Sequence, residues 1–495
     1  MRILIADDEL ANSQLLRSLF GGGAKSKNQP KATAGIPEIG RVVVARSQPR
    51  TGNKGRGKAV KGRAGSGQPQ NSYLDLGDQP EQAAALLDAL GISLLNRGML
   101  DEGSVLIELA LKIRRKFYGN DHPATALSLN SYSRVQRERG DYAGATESAN
   151  DALRINRRVF GDKGYPVAPS LLELGLAQLL QGLFTDAITS AETGLTILRN
   201  LDLYESDPNS TRLMDLLGRA QCARGQVDAA AQTYETLLEL DQKQLGTRKH
   251  PKYATHLANF GLVLEAQKKR SSAIKAYLNA IDLYENTLNR GNHPNLIDTY
   301  ANLGSLLRTP PAKLKEAGRY LEKALQLGIA VRGDSHLLVG NDYANLARWQ
   351  YDSGARDAAT KGFNKALDIY SQNIKKRALP ADHFFIAEAL TWQGRILVEA
   401  GTLAGGKQAE PLLRKAREIW PVQLGSGTVG EAMATGYLGR ALALQGNQAD
   451  DACQLLCSGY RALQENPQAS PAVIKQFAAW IKQQQCDCGP AQAAK

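Results

Sequence analysis

The residues best suited to chemistry in this 495-residue chain are six histidines, five cysteines, an acidic pair near the start and one glycine–lysine loop. A hydrolase or a metal centre would draw on the histidines. Five of them, His122, His250, His293, His336 and His383, occupy the same place just before a helical segment, and three are followed directly by proline. The fixed φ of proline suits the first helical position, and Asp121 or Asn292 beside the ring can accept from free backbone N–H groups. Such histidines read as turn residues rather than as a triad or metal ligands. His256 alone falls inside a helical stretch, with no Cys or Ser nucleophile in phase with it. Nucleophile, base and oxyanion donor converge nowhere, so we expect no catalytic residue, no cofactor and no metal site, and the chain does not read as an enzyme.

The cysteines carry a second possibility. Cys453 and Cys457 stand four apart on one helix face and Cys486-Asp-Cys488 follows later, so four thiolates could hold zinc. The C-x-C spacing lacks the usual C-x2-C bite, and buried helical cysteines beside a free tail are the expected reading. Five clustered cysteines do not make a secreted disulfide framework, which favours a reducing compartment. The opening MRILIADDEL has no leader-like apolar run and no stretch of 18 apolar residues occurs, so a cytoplasmic protein without a membrane span is expected.

Charge and repetition then organise the chain. The formal charge of +12 is concentrated in residues 21–70, where eleven Lys and Arg face one acid, Glu38. That tract is rich in Gly, Pro, Gln and Ser, and it reads as a disordered basic linker over 21–72 that would attract nucleic acid or acidic surfaces only weakly. Its Gly52-Asn-Lys-Gly-Arg-Gly57-Lys58 matches a phosphate-loop spacing, but Ala59 lacks the hydroxyl that would hold Mg²⁺. From residue 73 onward a motif of Gly, four residues, then a small residue recurs as Gly98 to Gly103, Gly140 to Ala145, Gly182 to Ala187 and Gly225 to Ala230. It continues with Lys268 in the glycine slot before Ala273, Ala312 before Ala317, Gly354 before Ala359, Gly405 before Glu410 and Gly446 before Asp451. Each unit is two amphipathic segments at helical spacing. A lone hairpin cannot bury its apolar face, so the units must stack into a solenoid over residues 73–465. Turns six (Thr309-Pro310-Pro311) and eight (Gly401 to Gly406) read as lengthened. A final helix with Val473, Phe477, Trp480 and Ile481 would cap the array within 466–485, leaving 486–495 as a tail.

These motifs resemble tetratricopeptide repeats of the kinesin-light-chain type. The carriers are Gly119-Asn-Asp-His122-Pro123 with Leu129-Asn130-Ser131-Tyr132-Ser133 and Gly140-Asp141-Tyr142, His250-Pro251 with Ala258-Asn259-Phe260-Gly261, and His293-Pro294 with Ala301-Asn302-Leu303-Gly304. The resemblance covers about residues 83 to 463 and implies an all-α, right-handed solenoid of about nine hairpins with a C-terminal capping helix. It further implies a scaffold that binds a protein or extended peptide on a concave face lined by first helices. There Asn259, Asn302 and Asn345 share one slot at 43-residue intervals. An Asn amide offers both a donor and an acceptor to a peptide backbone. Asn130, Asn341, Arg134, Arg137, Arg308 and Arg348 are candidate neighbours, and the arginines would suit an acidic peptide. The asparagines could instead bond to their own backbone or to the adjacent helix. The family's terminal-carboxylate clamp is disfavoured, since Ala258, Ala301 and Ala344 stand where its lysines would be.

Residues 1–20 resemble the start of a response-regulator receiver domain, with Asp7 and Asp8 as its acidic pair. No Asp follows before Asp75, so the phosphoaccepting residue has no counterpart. An accessory role in bacterial two-component or Ser/Thr kinase signalling is the alternative function, and tethering to nucleic acid or acidic surfaces through the linker is another.

Overall fold

The computed structural model describes residues 80–488 apart from breaks at 97–98, 288–293, 310, 376–378, 380, 425, 447–448 and 467–468, together with the backbone of three short strands. Strand β2 (Arg41–Ala45), within the expected linker, pairs parallel with β1 (Arg2–Ala6) and antiparallel with β3 (Ser72–Leu74). Asp7, Asp8 and the glycine–lysine loop lie outside the described residues.

Every other described element is helical. Nine hairpins follow in order: α1 (Pro80–Asn96) with α2 (Leu100–Tyr118), α3 (Pro123–Glu138) with α4 (Tyr142–Phe160), and α5 (Val167–Leu180) with α6 (Phe184–Asn200). Next come α7 (Pro208–Ala223) with α8 (Val227–Leu245), α9 (Pro251–Ala266) with α10 (Arg270–Asp282), and α11 (Pro294–Leu307) with α12 (Leu314–Arg332). The last three are α13 (Leu337–Asp352) with α14 (Arg356–Lys375), α15 (Phe384–Glu399) with α16 (Leu403–Leu424), and α17 (Val429–Gln445) with α18 (Ala449–Glu465). Helix α19 (Pro471–Gln483) ends the array and buries Val473 and Phe477 against α17 and α18. From Pro80 onward the described elements make an all-α repeat solenoid.

The chain divides into two units, Met1–Ser131 and Tyr132–Lys495. In the first, α1 and α2 bury Leu87, Leu106 and Ile113. Arg114 is nearly inaccessible, donating to Glu81 at 2.8 Å, to Ser128 at 2.8 Å and to Asp88.

Hairpin packing in the second unit follows from the repeated small residues. Ala145, Ala187, Ala230, Ala273, Ala317 and Ala359 are all fully buried, which lets paired helices approach closely. First helices carry a second small position: a Cβ on Gly261 would lie 2.7 Å from the Tyr277 ring of the facing helix. Hydrogen bonds from Ser148 to Gln136, Ser190 to Gln178 and Thr233 to Gln221, at 2.7 to 2.8 Å, repeat the same lock across three hairpins. The glycine slot is set by backbone conformation. Gly140, Gly182, Gly225 and Gly354 have φ between 78° and 84°, and Lys268 in the same slot is forced to 61°.

Three expectations change. The eighth turn is not lengthened: Gly401, at φ 70°, holds the slot and α16 starts two residues later, so the motif runs Gly401 to Gly406 rather than Gly405 to Glu410. In the ninth unit the buried small residue is Ala452, and Asp451 is exposed. The cysteine reading is wrong as well. Cys453 bonds to Cys486 and Cys457 to Cys488, joining the segment after α19 to α18. Four residues of helix rise about 6 Å and two residues of extended chain span about the same, so a C-x3-C helix face and a C-x-C segment match rung for rung. Disulfides persist in oxidising surroundings, which removes the cysteine argument for a reducing compartment. No described helix is long and apolar enough to cross a membrane.

Candidate partner-binding surface

The histidines cap helices with their own rings. Nδ1 of His122, His250, His336 and His383 accepts from the backbone N–H two residues on, at 3.1 to 3.2 Å. An accepting Nδ1 must be unprotonated, and burial pushes His336 and His383 down to about 4. His293 lies outside the described residues. His256 is buried, with Nδ1 2.5 Å from a carboxylate oxygen of buried Asp241. Among the described residues no group of three or more His, Cys, Asp or Glu is placed to hold a metal ion.

Within the second unit, polar side chains of successive first helices meet from one repeat to the next. Arg137 on α3 donates to Glu173 on α5 at 2.6 Å, and Arg212 on α7 donates to the other oxygen of that carboxylate at 3.0 Å. Burial opposes the charge on Glu173, but Arg137, Arg212 and Arg134 outweigh it and hold the carboxyl below its usual range. On α7, Asp215 accepts from Tyr234 at 2.7 Å and from Asn259 of α9 at 2.9 Å. Further on, Arg308, in the turn just after α11, pairs with Asp352 of α13 at 2.7 Å, and Arg348 of α13 with Glu388 of α15.

These pairs revise the expected site. Arg137, Arg308 and Arg348 are each matched by an acid one repeat on, so an acidic peptide would have to exchange partners with them rather than fill vacancies. Arg134 is half-buried, and burial pushes its guanidinium down against Glu138 and Glu173. The asparagines divide the two readings left open. Asn259 gives its amide N–H to Asp215 of the adjacent repeat, and Asn345, buried, accepts from Arg348 on its own helix. Asn302 and Asn341 are half-buried, and their side chains form no hydrogen bond with the described residues. Asn130 is half-buried and belongs to the first unit.

Sequence reasoning missed the acids Glu173, Asp215, Asp352 and Glu388. Their signal was available: each follows or precedes its partner by about one repeat on a first helix, but only cations and amides were weighed. It also missed a cluster near the end of the array, where Glu399 accepts from Arg395 at 2.9 Å, Gln476 at 2.8 Å and Tyr351.

The described repeats match the tetratricopeptide repeat family model over residues 81–158, 209–286 and 312–372. Among solved structures, the chain is similar to a Podosopora anserina putative kinesin light chain of nearly identical TPR-like repeats, at 20% identity over 43% of this chain and 99% of that one, with a TM-score of 0.35. It is similar also to BtubC (BKLC) from P. vanneervenii, at 20% identity over 48% of this chain and 91% of that one, with a TM-score of 0.37. A Rap protein complexed with competence and sporulation factor aligns at 12% identity over 75% of this chain and 100% of that one, with a TM-score of 0.43. No curated protein matches the chain in sequence. The receiver-like reading of residues 1–20 gains no support, since the family matches begin at residue 81. Three stretches, together a little under half of the chain, are thus similar to tetratricopeptide repeats.

Proposed function

We propose that this chain is a non-enzymatic protein-interaction scaffold that holds an extended peptide along the first helices α9, α11 and α13. Tetratricopeptide repeats generally mediate contacts between proteins. The observation that carries the reading is the residual hydrogen-bonding capacity of three in-phase amides. Asn259 has committed its N–H group but not its carbonyl, Asn345 its carbonyl but not its N–H group, and Asn302 neither. An extended peptide presents N–H and C=O groups in alternation, and each unmade backbone bond in a dry groove is costly, so such amides select extended chain over sequence. The neighbouring salt bridges then act as a fixed, charge-balanced lining.

The test is selection of peptides from a displayed random library on the full chain, followed by affinity measurements with the Asn259→Ala, Asn302→Ala, Asn345→Ala triple variant. Helicity should be unchanged and affinity for the selected peptides should fall by about 30- to 100-fold, for loss of two or three bonds of about 1 kcal/mol each. Unchanged affinity rejects the reading. Signalling and nucleic-acid roles would rest on residues 1–72, whose side chains lie outside the described residues.

A further inference from the structure

A cleft of about 540 Å³ opens where the first-helix face meets the capping helix, between α13, α15, α17 and α19. Four cations line it: Arg356, Arg395, Arg440 and Lys475. One acid, Glu399, lies among them, and it is already engaged by Arg395, Tyr351 and Gln476, with Arg356 at 3.4 Å. Burial works against its charge, but the bonds from Gln476, Tyr351 and Arg395 hold its carboxyl below the usual range. Glu399 therefore pairs with both Arg395 and Arg356, one negative charge among four cations, and leaves Arg440 and Lys475 without an acid among the described residues.

Arg440 is the unexplained group. It is only 7% exposed, its Nε and Nη1 are buried without a hydrogen-bond partner, and no carboxylate pairs with it among the described residues. Its guanidinium lies over the Trp480 ring at 5.3 Å, which holds the plane in place but satisfies none of its donors. A buried cation without a counter-ion is among the most costly features a fold can keep, and every other buried arginine described above has an acid. Burial pushes Arg440 down from the ordinary guanidinium range, the direction expected when no anion is present to oppose it. Tyr351 and Trp480 line the cleft beside the cations, with Arg395 and Arg356 over the first ring and Arg440 over the second. Disulfides at Cys486 and Cys488 fasten the segment after α19, the helix that carries Lys475 and Trp480, to α18.

We propose that this cleft is a binding site for a carboxylate borne by a peptide partner, an Asp or Glu side chain flanked by an apolar residue, with Arg440 as its principal ligand. Nη2, the one guanidinium nitrogen of Arg440 not enclosed in this way, meets the carboxylate, Lys475 and Arg356 at the rim add longer-range attraction, and the edges of Tyr351 and Trp480 border the flanking side chain. The site is separate from the asparagine row and uses none of its residues. Only the choice of a peptide as carrier of the carboxylate rests on the function proposed above.

Two blocked peptides, one carrying a single Asp beside Phe and one with Asn in its place, serve as probes with inorganic phosphate as a third, read by calorimetry and by Trp fluorescence. The Asp peptide should bind the full chain, more weakly as salt rises, and the Asn peptide about 100-fold less well. Arg440→Met should abolish the difference while raising the thermal midpoint of the free protein, because it removes an uncompensated charge. Lys475→Gln, on an exposed position that the fold does not need, should reduce affinity and flatten the salt dependence. The triple asparagine variant should bind the Asp probe as the unmodified chain does, so failure of one proposal leaves the other readable. Equal binding of the two peptides overturns the assignment. So does a lowered midpoint in Arg440→Met, or a response to phosphate without one to the Asp peptide.

Discussion

Acid should loosen this solenoid through its histidine caps, and the size of the effect follows from two side chains. His336 and His383 accept a backbone N–H at Nδ1 and have folded-state values near 4, against an ordinary value of 6.5. A base whose folded value is depressed costs nothing above its unfolded value and opposes folding as pH falls toward the folded one, so the window is 6.5 down to about 4. Between pH 7 and pH 5 each ring should remove about 1.8 kcal/mol, or roughly 3–4 kcal/mol together. Asn caps a helix as well as histidine does and does not titrate. The assay is urea unfolding, followed by circular dichroism, across pH 5 to 7 for the unmodified chain, His336→Asn, His383→Asn and the double variant. His383→Asn should lose stability at pH 7, where the ring packs against Phe384 and Phe385, yet gain relative to the unmodified chain as pH falls. The informative quantity is thus the slope. An unaltered slope in the double variant would refute the argument.

Other groups have consequences of different sign. Asp342 is buried on α13 and burial lifts its carboxyl to about 7, so it opposes folding as pH rises; Asp342→Asn should gain about 2–3 kcal/mol on the unmodified chain between pH 5 and pH 8, measured by the same unfolding series. Lys268→Gly relieves a left-handed residue in the fifth turn and should stabilise by about 1 kcal/mol, seen as a higher denaturation midpoint. Reduction of the two disulfides, which close loops of 33 and 31 residues, should cost about 3–4 kcal/mol locally and make the chain after α18 sensitive to protease, while the hairpins before it keep their helicity.

Local physics made much of the fold legible before any coordinates. A glycine slot followed by a small residue, repeated at 42 to 43 residues, is enough to specify hairpins, because both positions act through the backbone and neither depends on distant parts of the chain. The same logic placed Lys268 correctly although its side chain is the wrong kind. Where several glycines crowded one turn, at Gly401 to Gly406, composition could not say which of them takes the positive φ, and the register slipped by four.

The site was less legible, since its pairs are long-range in sequence. Asn259, Asn302 and Asn345 are in phase by sequence alone, but which half of each amide is already spent depends on Asp215 and Arg348, and that is decided by how neighbouring first helices pack. The pairing of Cys453 with Cys486 likewise requires the chain to turn back after α19. Arg440 shows the difference most sharply. As a letter in a helix it is one of 61 basic residues, and only burial against Trp480, with no acid paired to it among the described residues, makes it a group that asks for a ligand. The sequence by itself determined the repeat and its hairpins, because turn conformation and helix approach are local. The tertiary structure alone decided which charges are compensated, because compensation is a matter of distance through space.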